Sequence, residues 1–218
     1  MRALIASGTG RYADPWHPFA QTSPLLAEIL HGEGFSVVID DDVDTAMRRL
    51  DGIDLLVVNA GDPWRGDDRT TGAPADSIAG LDAALDGGMG VLAIHAAVAS
   101  LRDYPAWAPA IGGMWIPSGS FHPPAGPATV SAGALPDGTA LSGFEVVDER
   151  YCRLQQLGER HVVAEHSGPA GAEPTAWVRT AGSSRVAVDV LGHDEASYES
   201  VGHVRLIAAL ARWACPTP

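Results

Sequence analysis

Four of the eight histidines, His17, His95, His122 and His193, lie just past an apolar run or in a loop braced by proline. Imidazole takes or gives a proton near neutral pH and also holds metal ions, so such a set is a candidate site. Asn59 and Asp62 follow the third apolar run, Asp194 adjoins His193, and Asp148-Glu149-Arg150-Tyr151 adds carboxylates and a phenol. Trp16 and Trp64 offer ring faces that can stack on the C–H surface of a sugar, while imidazoles and carboxylates hydrogen-bond its hydroxyls. Proton abstraction beside a ketone needs one base and one electrophilic stabiliser. His95 or His193 would serve as the base, with Glu149 as partner acid. A divalent metal such as zinc, held by some of His17, His95, His193 and Glu149, would polarise the carbonyl. No His-x-x-x-His or His-x-Glu spacing supports that metal.

Each residue also has a plainer reading. His95 can cap a strand end and bond a nearby loop, and Trp16, Trp64 and Phe121 can simply cover the end of a sheet. Glu149-Arg150 reads equally as an internal salt bridge, and Asp62 as the cap of a turn before Pro63. Asp40-Asp41-Asp42 reads as a solvated loop that favours the next helix's start. His31 falls in a helix, and His161 and His166 flank an edge strand, so these three are expected to be structural or solvated. His203, near the start of the last helix, stays undecided.

The element that must position His95 is residues 88–100. The unbroken apolar run 91–94 predicts a strand buried on both faces, as in a parallel sheet. His95 ends it, and Ala96-Ala97-Val98-Ala99 predicts the first turns of a helix. Small neighbours let the backbone turn sharply there and lift the central side chain above the sheet, as in a nucleophile elbow. Further strands are predicted at 3–6, 35–39 and 53–58, with helices at about 43–50, 75–86, 104–112 and 200–213. Pro15 and Pro18 exclude a helix through residues 11–22, and Ser23-Pro24 then opens one that stops at Gly32 or Gly34. This alternation predicts a parallel sheet with helices on both faces. Residues 114–175 hold short runs at 128–130, 144–147 and 161–164 between Pro/Gly-rich loops, read as a small antiparallel extension of the same domain, 1–218. Runs 176–180 and 185–191 form a hairpin-like pair. In open α/β sheets, ligands bind beyond the carboxyl ends of the strands, where the histidines above collect.

Composition narrows the partners. With 27 acids against 14 bases the net charge is −13, which repels polyanions and excludes nucleic acid as an expected partner. Ser7-Gly8-Thr9-Gly10 is no phosphate loop, since neither Gly-x-x-x-x-Gly-Lys nor Gly-x-Gly-x-x-Gly follows the first strand. Cys152 and Cys215 are too far apart for a Cys-x-x-Cys site and too few for a disulfide framework. The apolar start is too short for a signal peptide, and no run approaches the roughly 18 apolar residues of a membrane span. A soluble cytoplasmic protein is expected, with a homodimer left open.

Six separated motifs occur in order: residues 11–19 (Arg-Tyr-Ala-Asp-Pro-Trp-His-Pro-Phe), 57–62 (Val-Val-Asn-Ala-Gly-Asp), 92–97 (Leu-Ala-Ile-His-Ala-Ala), 121–124 (Phe-His-Pro-Pro), 148–151 (Asp-Glu-Arg-Tyr) and 191–194 (Leu-Gly-His-Asp). Together they resemble the ThuA-like (trehalose-utilisation) family. The resemblance implies a flavodoxin-like core related to the class I glutamine amidotransferases, which carry a cysteine at the elbow and a histidine after a late strand. By position those become His95 and His193. The thiolate is missing, and Cys152 follows a different strand, so glutaminase chemistry through a thioester is not expected. The resemblance further implies carbohydrate catabolism, with keto-disaccharides or glycosides as substrates. Catalysis would rest on His95, His193 and Glu149, and substrate binding on Trp16, His17, Asn59, Asp62, His122, Tyr151 and Asp194. The alternative is a sugar-binding or regulatory module that kept the fold and lost the nucleophile.

Overall fold

The computed structural model describes residues 1–65 and 72–215. The chain alternates β1 (Arg2–Ser7), α1 (Phe19–Gly32), β2 (Ser36–Asp40), α2 (Val43–Met47), β3 (Leu55–Asn59), α3 (Ala75–Asp86) and β4 (Gly90–Ile94). A short helix α4 (Trp107–Ile111) and a two-residue strand β5 (Gly113–Met114) follow. Next come β6 (Gly126–Ala132), β7 (Phe144–Asp148), β8 (Gln155–Gln156), β9 (His161–Gly168), β10 (Gly171–Ala181) and β11 (Ser184–Asp189). The helices α5 (Glu195–Tyr198) and α6 (Val201–Ala214) close the described chain.

Nine of these strands make one sheet in the order β2-β1-β3-β4-β11-β10-β9-β6-β7. The first five run parallel. From β11 outward every pairing is antiparallel, so the expected extension is a continuation of the main sheet that reaches Ala181. β5 and β8 pair separately.

Side-chain alternation along the strands builds two cores. Leu4, Ala6, Leu56, Val58, Val91 and Ala93 face α2, α3 and α4, where Met47, Leu81 and Trp107 are buried. Ala3, Ile5, Leu55, Val57, Leu92 and Ile94 face α1 and α6, where Leu26, Leu30, Ile207 and Leu210 are buried. Each of the Val, Leu, Ile and Met side chains among these contributes about 1.5–3 kcal/mol by leaving water, and each alanine less. Helices therefore cover both faces of the parallel half, and no helix among the described residues is long and apolar enough to cross a membrane.

Three expectations are corrected. Residues 11–22 are not all loop: Pro18 is the N-cap of α1, so the helix starts at Phe19, and Pro24 lies inside it. A cap needs no helical N–H of its own, and the Pro18 carbonyl accepts from Gln21 and Thr22 at 2.8 and 3.0 Å. Ser23 therefore caps nothing; its hydroxyl donates to Ser7 Oγ at 2.8 Å. The second predicted helix ends at Met47 rather than Leu50. The third correction concerns β9, which lies between β10 and β6 and is no edge strand; its His166 is buried, with Nδ1 3.0 Å from Thr175 Oγ1.

Candidate metal centre

β4 delivers His95. Its five residues are all buried between β3 and β11, and the chain then enters a single 3-10 turn, His95–Val98. His95 has φ +46°, left-handed backbone that a residue with a Cβ adopts only at a cost of about 1–3 kcal/mol. The turn sends its imidazole back over the sheet end, where Nδ1 donates to the Val190 carbonyl at 2.8 Å. With the proton fixed on Nδ1, Nε2 carries the lone pair, and the Tyr151 hydroxyl lies 2.9 Å from it.

His17 arrives from the loop after β1. Its Nδ1 lies 2.8 and 2.7 Å from the two oxygens of Asp14, so Nδ1 is the protonated nitrogen and Nε2 is bare. That Nε2 is buried and has no hydrogen-bond partner among the described residues. His193, just after β11, has a buried Nδ1 that likewise lacks a hydrogen-bond partner and lies 3.5 Å from Glu149 Oε2. Glu149, at the end of β7, sets the same oxygen 3.5 Å from His95 Nε2. The three imidazoles meet edge to face, with centroids 4.9 Å (His17–His95), 5.0 Å (His17–His193) and 5.5 Å (His95–His193) apart. One donor atom from each of His17, His95, Glu149 and His193 falls within 4.8 Å of the other three.

The electrostatics match the geometry. Burial pushes Glu149 towards protonation, but His95 and the other imidazoles around it outweigh that and hold its carboxyl below the usual range. Burial works against a charge on His95, yet Glu149 and Asp148 overcome that and raise its basicity. Burial, with His95 and His193 adding to it against Asp14, lowers His17, which favours the neutral ring that a metal requires. Burial keeps the Tyr151 phenol protonated, with Glu149 adding to the effect.

The other expected site residues divide. His122 approaches Glu149 Oε1 at 3.3 Å and packs against Trp115 and Tyr151, so it joins the cluster's wall. Trp16, beside His17 in the chain, is 61% exposed, with the Arg65 guanidinium over one face of its ring. Asn59 does not reach the site: it is buried, and its amide donates to Thr22 Oγ1 and Ser23 Oγ, tying β3 to α1. Asp62 is occupied by Arg102 at 2.9 Å and by the Trp64 amide at 2.8 Å. Asp194 caps α5 by accepting from the Ala196 amide at 2.9 Å. Glu149-Arg150 is no salt bridge, since Glu149 faces histidines. His203 is settled as structural, with Nε2 2.9 Å from the buried Asp189 carboxylate. Sequence reasoning missed Asp14 and Trp115, and it counted Asp148 among the carboxylates without giving it a role of its own; the Asp14-x-x-His17 spacing is a readable signal for the first. A concavity of about 670 Å³ lined by Gly52, Asp54, Gly90 and Cys215 lies at the amino ends of β3 and β4, away from this chemistry.

The sequence profile of the ThuA family, described as trehalose utilisation, matches residues 2–214. No curated protein matches the sequence. Among solved structures, a ThuA-like protein from Parabacteroides merdae superposes with a TM-score of 0.80 at 17% identity, covering 99% of this chain and 90% of that one. A ThuA-like protein from Bacteroides uniformis gives 0.71 at 16% identity, with 98% and 90% covered. A cytoplasmic protein from Salmonella typhimurium gives 0.64 at 11% identity, with 98% and 100% covered. At those identities the neighbours speak for the fold, and the profile match over nearly the whole length speaks for more: this chain belongs to the ThuA, or trehalose-utilisation, family.

Proposed function

We propose that the cluster is a mononuclear divalent-metal site of an enzyme that acts on a keto-sugar or glycoside. The observation that carries this reading is the pair of buried nitrogens without a hydrogen-bond partner among the described residues, His17 Nε2 and His193 Nδ1, in a ring of donors. A buried lone pair with no partner costs stability unless something fills the gap, and a cation among neutral imidazoles does so. The donor nitrogens of His17, His95 and His193 lie within 4.8 Å of one another, so three imidazoles can converge on one ion while Glu149 stays beside them. Asp14 behind His17 and the Val190 carbonyl behind His95 are the outer partners that orient metal-bound imidazoles.

Three imidazole ligands leave one position for a substrate oxygen, which the metal would polarise. Glu149, held ionised, is then the base for a proton beside the carbonyl. Tyr151, kept protonated by burial, is a donor to the developing oxyanion once His95 Nε2 no longer needs its hydroxyl. His122 and Trp115 wall the site, and Trp16 offers a stacking face. The carbohydrate assignment rests on the family and on this pairing of ring faces with polar donors.

The test couples metal analysis to a panel of 3-keto-glycosides, with wild type, His17→Ala and Glu149→Gln, with and without chelator. One metal ion per chain and chelator-sensitive turnover are expected. Glu149→Gln should retain metal while losing turnover by about 10²–10⁴-fold. No metal, with neither binding nor turnover across the panel, would remove the assignment. Binding that survives in Glu149→Gln, with no turnover in wild type, would favour a sugar-binding module.

A further inference from the structure

Behind the metal-centre residues lies a row of buried polar groups that the chemistry above does not use: Asp148, Ser197, His203 and Asp189, none more than 1% exposed. Ser197 Oγ lies 3.0 Å from His203 Nδ1, and His203 Nε2 lies 2.9 Å from Asp189 Oδ2. The order serine, histidine, aspartate is that of a nucleophilic triad, but no substrate reaches a fully buried serine. Its hydroxyl is also committed as a donor, to Asp148 Oδ2. The row ends on Asp148, and what Asp148 holds explains it.

Asp148 Oδ1 accepts from the Glu149 amide at 2.7 Å, and the same oxygen lies 3.4 Å from the His193 amide. Asp148 Oδ2 accepts from the Gly192 amide at 2.7 Å as well as from Ser197. One buried carboxylate thus binds the backbone of two metal-centre residues that come from different parts of the sheet, Glu149 from β7 and His193 from beyond β11. Strands β10, β9 and β6 separate β7 from β11, so the sheet's own register gives these residues no direct coupling. Gly192, with φ +112°, lets the chain bend so that its amide faces the carboxylate.

We propose that Asp148 is the positioning residue of the site, setting Glu149 and His193 as one unit, and that the Ser197–His203–Asp189 relay holds Asp148 in place. A carboxylate accepting several N–H and O–H groups in a buried setting is stiff, because every rotation breaks charge-assisted bonds. This inference rests on the metal reading only for one of its two readouts.

The experiment compares Asp148→Asn, Ser197→Ala and a control, Leu210→Ala, which opens a cavity in α6 without touching the row. Cobalt(II) is titrated as the probe, and its visible spectrum reports coordination geometry. Asp148→Asn is expected to weaken cobalt binding tenfold or more and to change the spectrum, because outer-shell partners of metal ligands act at that scale. Ser197→Ala should shift both in the same direction by less, while Leu210→Ala lowers the melting temperature and leaves affinity and spectrum unchanged. In metal-free protein, Asp148→Asn or Ser197→Ala should broaden the His193 imidazole resonances while those of His17 stay sharp. That second readout decides the matter even if wild type binds no metal, an outcome that would count against the metal alone. Should Asp148→Asn fail to fold, Ser197→Ala carries the test. A folded variant with wild-type affinity, spectrum and His193 line widths would overturn the proposal.

Discussion

Asp14 decides which nitrogen of His17 faces the cluster, because both carboxylate oxygens lie within 2.8 Å of Nδ1. The proton stays on that side, and the opposite nitrogen presents its lone pair. The same oxygen, Oδ1, also accepts from the backbone amides of Trp16 and His17 at 2.9 Å, so the loop and the ring are fixed together. Asp14→Ala should therefore weaken metal binding about 10–100-fold. Asp14→Asn should fall between, since its carbonyl can still accept from Nδ1–H. A metal titration of both variants checks this; equal affinity in wild type and Asp14→Ala would remove His17 from the ligand set.

Gly61 is what lets that loop lie against β3. Its amide donates to the Tyr12 carbonyl at 2.9 Å, and a Cβ there would stand 2.7 Å from Asp14 Oδ2 and 2.8 Å from the Tyr12 oxygen. Gly61→Ala must push the loop outward, with a destabilisation of about 1–3 kcal/mol typical of overpacking. For a chain of this size that is a melting-point loss of about 2–4 °C per kcal/mol. Metal affinity should fall as well, because the displaced atom is the carboxylate that orients His17. Thermal melts with a metal titration test both halves, and an unchanged affinity would separate Gly61 from the site.

Much of this arrangement is legible in the residues. The apolar run ending at His95 predicts a doubly buried strand, and strand-end placement gathers His17, His95 and His193 at one end of the sheet; the helix expected beyond His95 is instead the single 3-10 turn His95–Val98. Asn59, Asp62 and Asp194 satisfy the same rule but serve turns, caps and packing. Short polar side chains bond local backbone as readily as ligands, and position alone does not distinguish the two uses. The start of α1 is hidden because Pro18 acts as a cap, a role that the helix-breaking property of proline obscures. The role of Asp148 is hidden for a different reason: its partners Gly192 and Ser197 lie 44 and 49 residues away, beyond any local pattern.

Cys152 should play no part in any activity. It is buried, and burial together with Glu173 raises its thiol, so the reactive thiolate is disfavoured. Its sulfur lies 3.9 Å from His166 Nε2, while the elbow that would carry a glutaminase nucleophile holds His95. No glutamate should be released from glutamine, and alkylation under native conditions should leave metal binding and turnover unchanged. Glutamate release that disappears in Cys152→Ala would reverse this assignment.

The buried pair His203–Asp189 gives stability a defined dependence on pH. Burial alone would lower the His203 pKa, but the Asp189 carboxylate, with Asp148 and the Ser197 carbonyl, more than compensates and raises it. The folded protein therefore binds a proton at His203 more tightly than the unfolded chain does. The resulting stabilisation is fully present below the ordinary histidine pKa of about 6.5 and is lost as pH climbs through the higher folded value. Other histidines pull the opposite way: burial depresses His17 and His166, so their contributions vanish as pH falls. The overall curve is a dome, and His203 is isolated only by difference. Melting wild type and His203→Gln side by side from about pH 6 to about pH 9 should show the stability gap between them shrinking as pH rises. Removing one partner of a buried ion pair costs about 3–5 kcal/mol, so the gap at the acid end should be large enough to follow. A gap that stays constant, or widens with pH, would mean that the imidazole is neutral in the folded protein and that Asp189 is held by other means.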